Sequence, residues 1–287
     1  MLTCRGSAGG RGETAMIRMI GLDLDGTLLT RDKRLTKKNS EVLTQAARRG
    51  IHIVPVTGRP LSGIPEAVEA LPFIRYVITS NGAVITDRAK NRTIREHCMP
   101  AEKALEILKA AEGNSIIREF FAEGHGFHDP QTHEQLWKKF EGTPILAYLK
   151  KSRIQVEDLY GSLSEKRGGF ENISIMCASP AERGEVLSRV ACIEGIRIIF
   201  PWATDLEIVS EDADKGEAFL DLAAELGIQT GEVMAMGDGN NDLGLMRAAG
   251  LSVAMGNSDN EVISAADHIT ADNEHDGVAE AILKFVL

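Results

Sequence analysis

Asp23-Leu24-Asp25-Gly26-Thr27 follows a short apolar run at residues 16–22. That run reads as a strand, so the two carboxylates stand at a strand end. Ligands of open parallel sheets bind beyond the carboxyl ends of the strands, and D-G is also a common turn signature. Gly237-Asp238-Gly239-Asn240-Asn241-Asp242 follows a second apolar run, 233–236. Asp and Asn there serve equally as a turn with a helix N-cap, and Asp242 can combine the cap with chemistry. The segment lacks the spacing of a calcium-binding EF-hand loop. Together the four carboxylates are more telling than either pair. Unit charges about 4 Å apart interact by about 4 kcal/mol at an effective dielectric of 20. Four carboxylates at one sheet edge would therefore repel strongly and shift pKa values upward. A hard divalent cation relieves that repulsion. Oxygen ligands with few histidines favour Mg²⁺ over zinc, and Mg²⁺ also accepts phosphate oxygens. The chemistry implied is phosphoryl transfer.

Two more segments fit an anionic substrate. Val56-Thr57-Gly58-Arg59 ends another apolar run, where a hydroxyl and backbone N–H groups can hold phosphoryl oxygens; Thr57 could instead cap a helix. Lys215 opens a helix after Asp212-Ala213-Asp214. A cation at a helix N-terminus gains nothing from the dipole, so it is either a solvated surface lysine or one placed to meet an anion.

The elements around these residues alternate. Strands are predicted at 16–22, 51–56 and 76–79, with helices at 37–49 and 60–71 between them. The alternation returns with a helix at 215–226, a strand at 233–236, a helix at 242–249, a strand at 251–254 and a helix at 278–285. Buried apolar strands alternating with helices signal a parallel sheet covered on both faces. From 86 to 207 the rhythm changes: a strand at 92–99, a helix at 101–111, a hairpin at 115–128, helices at 133–140 and 181–191, and strands at 172–177, 196–200 and 205–209. The fold class expected is α/β, a Rossmann-like doubly wound parallel sheet core (16–85 and 208–287) with an inserted α+β domain (86–207). Residues 1–15 are small, polar and Gly-rich and read as a disordered extension, with Met16 a candidate start.

The 287 residues carry a formal net charge of -10 and are 43% apolar. That charge argues against a nucleic-acid partner and against docking on an anionic membrane. No apolar run approaches the ~20 residues of a membrane-spanning helix, and residues 1–15 lack the apolar stretch expected of a secretory signal. Cys4, Cys98, Cys177 and Cys192 include no C-x-x-C pair, as expected of reduced thiols in a cytoplasmic protein. Cys177 and Cys192 lie in apolar stretches and are expected in the core. His125, His128 and His133 crowd one segment without any zinc spacing; a loop role is expected, with a transition-metal site as the alternative.

The motifs resemble those of the haloacid dehalogenase superfamily, in its order: D-L-D-G-T, the V-T-G-R threonine, the lysine and G-D-G-x-N-D. The likeness is closer to the Cof-type, IIB-like branch. Thr79-Ser80-Asn81-Gly82-Ala83 resembles its third-strand segment, and residues 249–257 (AGLSVAMGN) and 273–278 (NEHDGV) its late segments. Over 86–207 the likeness is architectural only, an α/β cap. It implies that Asp23 is the nucleophile of an aspartyl-phosphate mechanism and Asp25 the general acid, a role suited to a modestly raised pKa. It also implies Mg²⁺ held by Asp23, the Asp25 carbonyl and Asp238, with Asp242 acting through water or orienting the others. Thr57, Gly58, Lys215, Asn241 and the Leu24 N–H would bind the phosphoryl group. The substrate implied is a small phosphorylated metabolite, such as a sugar phosphate. A phosphomutase, and a non-catalytic phospho-ligand sensor, are the alternatives. The cap, and its hairpin near 123–128 in particular, is expected to read the leaving group.

Overall fold

The computed structural model describes residues 16–287, so the reading of 1–15 lies outside the described residues. Five parallel strands form the core sheet, in the order His268–Ile269, Leu251–Ala254, Val233–Gly237, Met19–Leu22, His52–Pro55. Alternate side chains of a strand point to opposite faces, and the packing follows that period. Ile20, Leu22, Met234 and Met236 meet Val42, Leu43, Ala46, Val278 and Ile282 on one face. Met19, Val233 and Ala235 meet Ala218, Phe219, Leu222 and Leu245 on the other. Full burial of each of the larger of these side chains is worth about 1.5–3 kcal/mol, which fixes the register that sets the strand ends.

The helices start and stop as their sequences direct. Lys37–Arg48 is capped by the Thr36 side chain, which accepts from the Asn39 N–H, and Gly50 takes a positive φ just beyond its end. Lys215–Glu225 is capped by Asp214, which accepts from the N–H groups of Gly216 and Glu217. The helix expected over 60–71 is instead a 3-10 turn, Leu61–Gly63, and a short helix, Glu66–Glu69. Pro65 lacks the N–H and ring clearance that a continuous helix needs.

A second, antiparallel sheet joins Tyr76–Thr79, Val84–Asp87 and Arg92–Glu96. It meets the core through the parallel bridge Val56–Ile78. The expected boundaries at 86 and 207 fall inside the strands Val84–Asp87 and Asp205–Ser210. The sheets place the crossings after Glu96 and after Ser210, because each strand stays with its own hydrogen-bonded partners.

The cap is a six-stranded sheet in the order Ile196–Ile199, Asp205–Ser210, Asn172–Met176, Ile117–Ala122, His125–His128, Arg153–Gln155. All neighbours are antiparallel except the last pair. One face buries Phe120, Ile173, Ile175, Leu206 and Ile208 beneath the helices Ala101–Ala110, Leu159–Glu165 and Pro180–Val190. Glu119, Ser174 and Glu207 are paired across strands on the opposite face, which turns toward the core. The hairpin expected over 115–128 forms, and the helix expected over 133–140 is Pro130–Lys139. The helices Pro144–Ser152 and Leu159–Glu165 were not legible in the sequence.

Cys98, Cys177 and Cys192 are free thiols. Cys177 is buried as expected, but Cys192 is exposed, because the helix Pro180–Val190 ends before it and takes its buried face with it. No helix among the described residues is long and apolar enough to cross a membrane.

Candidate active site

Three of the motifs lie at the carboxyl ends of core strands, and Lys215 reaches them from the start of the helix Lys215–Glu225. Asp23 follows Met19–Leu22, Thr57 follows His52–Pro55, and Asp238 follows Val233–Gly237. Carboxylate oxygens of Asp23, Asp238 and Asp242 lie within 4.8 Å of one another. Lys215 stands among them, its Nζ 2.7 Å from Asp23 Oδ1 and 2.7 Å from Asp242 Oδ1. The lysine is buried, so the surface reading is excluded.

Local chain features bring these groups close. Gly26 has φ +87°, and a Cβ on it would lie 2.2 Å from Asp238 Oδ2. Only glycine both adopts that conformation and leaves room for the carboxylate. Thr27 donates its hydroxyl to Asp238 Oδ1 at 2.9 Å, and the Asn257 amide donates to the Gly26 carbonyl at 2.8 Å. Asp242 does not cap the helix that follows it through its side chain. Its Oδ2 accepts instead from the backbone N–H groups of Asp238 (3.0 Å) and Gly239 (3.1 Å), which locks the loop around the site.

The electrostatics follow from crowding. Burial raises the Asp23 pKa well above the usual carboxylate range; Lys215 opposes this, and Asp242, Asp238 and Asp25 add to it. Burial, then repulsion from Asp242, pushes Asp238 up to about 7. Burial would neutralise Lys215, but Asp23 and Asp242 outweigh it and hold its pKa above the ordinary lysine value. The ammonium therefore stays charged.

Asp25 departs from expectation. Burial would raise its pKa, but Arg59 and Lys33 overcome that and lower it to about 2. Arg59 grips both oxygens, Nε to Oδ2 at 2.6 Å and Nη2 to Oδ1 at 2.7 Å, and Lys33 Nζ lies 2.7 Å from Oδ1. A modestly raised value required a carboxyl without such partners. The Arg59 signal was present in the V-T-G-R segment. Lys33, in a polar turn, gave none.

Thr57 is buried and caps no helix. Its hydroxyl oxygen accepts from the Arg59 N–H at 3.2 Å. Gly58 runs against Asn81, whose amide would sit 3.0–3.4 Å from a Cβ there. Asn81 joins the site from the third-strand segment with φ +57°: its oxygen accepts from Asn241 Nδ2 at 3.2 Å, and its own amide donates to Glu207 of the cap at 2.7 Å. The Leu24 side chain is fully buried in the core.

The histidines form no metal cluster; among the described residues the Asp23, Asp238 and Asp242 group is the one that could hold an ion. His128 is buried, with Nε2 3.1 Å from His133 Nδ1. His125 stays apart, its ring nitrogen against the Glu123 carbonyl. The hairpin tip also touches the core: the Gly124 carbonyl accepts from the Ser62 hydroxyl at 2.6 Å, while the Gly124 N–H donates at 2.7 Å to Glu171 of the cap, whose carboxylate in turn accepts from the Ser80 hydroxyl of the core at 2.6 Å.

A doubly wound sheet with a carboxylate cluster around a buried lysine, beneath an inserted cap, defines a class of phosphoryl-group hydrolases. The chain belongs to the haloacid dehalogenase-like hydrolases, whose family model matches residues 20–282. It is similar to the phosphatase YwpJ of Bacillus subtilis, at 30% identity over 92% of this chain and 98% of the relative. It is also similar to the 5-amino-6-(5-phospho-D-ribitylamino)uracil phosphatase YcsE of the same organism, at 28% identity over 96% and 98%. Among solved structures it resembles the haloacid dehalogenase subclass IIB sugar phosphatase BT4131, at 25% identity, covering 93% of this chain and 98% of that one, with a TM-score of 0.79. The chain is of the Cof-type, IIB-like branch and is a phosphoric monoester hydrolase.

Proposed function

We propose that this chain hydrolyses small phosphorylated metabolites of the sugar-phosphate kind in the cytoplasm, with Asp23 as nucleophile, Asp25 as general acid and base, and Mg²⁺ as cofactor. The observation that carries the reading is the convergence of Asp23, Asp238 and Asp242 around Lys215, with Asp25 on the same turn. The donor set fits a hard cation: three carboxylates, two of them destabilised by burial and mutual repulsion, with no nitrogen or sulfur ligand among them. Asp23, the Asp25 carbonyl and Asp238 would hold the ion, with Asp242, already committed to Lys215 and two backbone N–H groups, orienting the set. When bound, the ion neutralises the carboxylates and offsets charge on the phosphoryl oxygens.

The chain's own residues account for the remaining steps. An Asp23 oxygen bonds to phosphorus as the bond from phosphorus to the leaving oxygen breaks, and Asp25 gives that oxygen a proton. Water then attacks the aspartyl phosphate, Asp25 takes its proton, and phosphate departs with Asp23 restored. The low pKa that Arg59 and Lys33 give Asp25 favours the ionised form, which serves as base. A phosphate dianion beside it opposes Arg59 and Lys33 and favours the protonated form needed first. Lys215, the Thr57 hydroxyl, the Asn241 amide and the N–H groups of Leu24 and Gly58 would bind the phosphoryl oxygens as charge spreads over them. The relatives that act on a phosphoribityl compound and on sugar phosphates support the substrate class.

The test is phosphate release from a panel of phosphorylated metabolites by the full chain and by Asp23→Asn. The variant should lose roughly 10³–10⁶ in turnover, the scale of removing a covalent catalyst. Near-wild-type turnover by the variant would end the covalent reading.

A further inference from the structure

Arg59 fixes the aim of Asp25. Its fork holds both carboxylate oxygens, and its remaining nitrogen, Nη1, donates to the Gly63 carbonyl at 2.8 Å. A guanidinium held in its own plane in this way leaves its faces free for stacking, and one of them is covered from the cap. The Tyr148 ring, on the helix Pro144–Ser152, lies 4.6 Å from the Arg59 guanidinium carbon. A cation over an aromatic face is attracted by the ring's negative quadrupole, more strongly when both are shielded from water.

Tyr148 is itself held in place. The Arg153 guanidinium lies 4.7 Å from the same ring and 4.6 Å from Phe121. Arg153 is anchored by a buried pair with Glu119, Nε to Oε1 at 3.0 Å. The helix is tied to the core by Lys151, which pairs with Glu69 at 2.6 Å and donates to the Ile64 carbonyl. The core also leaves space for the ring: a Cβ on Gly63 would lie 2.6 Å from Tyr148 Cε2. A glycine is present at a core position where a methyl group would displace the tyrosine.

We infer that Tyr148 is a positioning residue for the reaction: seated on Arg59, it makes the aim of the Asp25 carboxyl depend on the docked cap. The inference rests on the proposed role of Asp25 as general acid. It links cap docking to protonation of the leaving group, so the acid is correctly placed when the cap covers the site.

Protonation matters most for a poor leaving group. An alkoxide needs the proton, whereas nitrophenolate leaves readily without it. The experiment therefore compares kcat and KM for p-nitrophenyl phosphate and for the alkyl phosphate that the wild-type chain hydrolyses fastest. Removing a general acid costs typically about 10²–10⁴, so Asp25→Asn should lose that much on the alkyl ester and far less on the nitrophenyl ester. Tyr148→Leu should show the same selectivity in weaker form, about tenfold in kcat on the alkyl ester. Gly63→Ala should reproduce it by displacing the ring, and Tyr148→Phe, which keeps the ring, should restore wild-type behaviour. Thermal melts establish that each variant is folded. A selective Asp25→Asn with a Tyr148→Leu that slows both esters equally, or changes KM alone, would overturn the positioning role and leave Asp25 as the acid. An Asp25→Asn without leaving-group selectivity would overturn both.

Discussion

At the scale of the residue, Lys215 is the group whose environment is most informative. Its side chain is 1% exposed and bridges two carboxylates, so it does two things at once. It places a fixed positive charge beside Asp23, and it compensates two buried negative charges. Lys215→Ala should therefore reduce turnover by about 10²–10³, the scale of losing one electrostatic stabiliser. It should also destabilise the metal-free protein by about 3–5 kcal/mol, because removing one member of a buried ion pair leaves its partners uncompensated. Urea unfolding in chelator alongside steady-state kinetics measures both. Wild-type stability with a full catalytic loss would show that the buried carboxylates do not depend on the ammonium for their stability.

At the scale of the element, the cap strands Ile117–Ala122 and Arg153–Gln155 do not pair directly but are linked by Glu119 and Arg153. Burial would raise the Glu119 pKa, but Arg153 and then His128 outweigh it, so the net direction is downward. The sign for stability follows. The unfolded chain binds a proton at Glu119 near its ordinary pKa of about 4.3, while the folded chain resists it to lower pH. The stabilisation is complete above about 4.3 and is lost as pH falls through the folded value. Glu119→Gln should flatten that part of the acid-unfolding profile. At neutral pH it should cost about 3–5 kcal/mol, since Arg153 is left buried and unpaired. Denaturant titrations between pH 3 and 7 give the comparison, and parallel profiles for variant and parent would refute it.

At the scale of the whole molecule, the carboxylate cluster couples metal binding to stability. A cation that binds only the folded state stabilises it by about 2.7 kcal/mol at a hundredfold excess over its Kd. Mg²⁺ should raise the melting temperature of the wild-type chain and leave that of Asp238→Asn nearly unchanged. The pH dependence has a definite sign. Asp238 is pushed up to about 7, and its proton must leave for the ion to bind, so Mg²⁺ affinity should weaken as pH falls below about 7. Calorimetric titrations at pH 6 and pH 8 test this directly, and equal affinities would show that the ion displaces no proton from Asp238 in that range.

By itself, the sequence determined the elements and the chemistry that local pattern can encode. Apolar runs ending in D-L-D-G-T, V-T-G-R and G-D-G-N-N-D specify buried strands whose ends carry oxygen ligands, and a parallel sheet places those ends on one edge. Asp23, Thr57, Asp238, Asn241 and Asp242 stand in those segments, whereas Lys215, at a helix start, stayed open to a surface reading until the fold buried it. Proline chemistry at Pro65 decided the broken helix near 60–71, where apolar spacing alone misled. The tertiary structure decided what depends on residues distant in the chain. Asp25 is ionised because Arg59 and Lys33 converge on it, and its neighbours in sequence carry no trace of that. His128 is buried against His133 and Glu119 rather than exposed on a loop, because the cap sheet closes over it. Tyr148 reaches Arg59 across the core–cap interface, a contact spanning 89 positions. Periodicity records which face of a strand or helix is buried; it holds no information about which side chain of another domain will meet that face, because that depends on how the core and cap sheets dock.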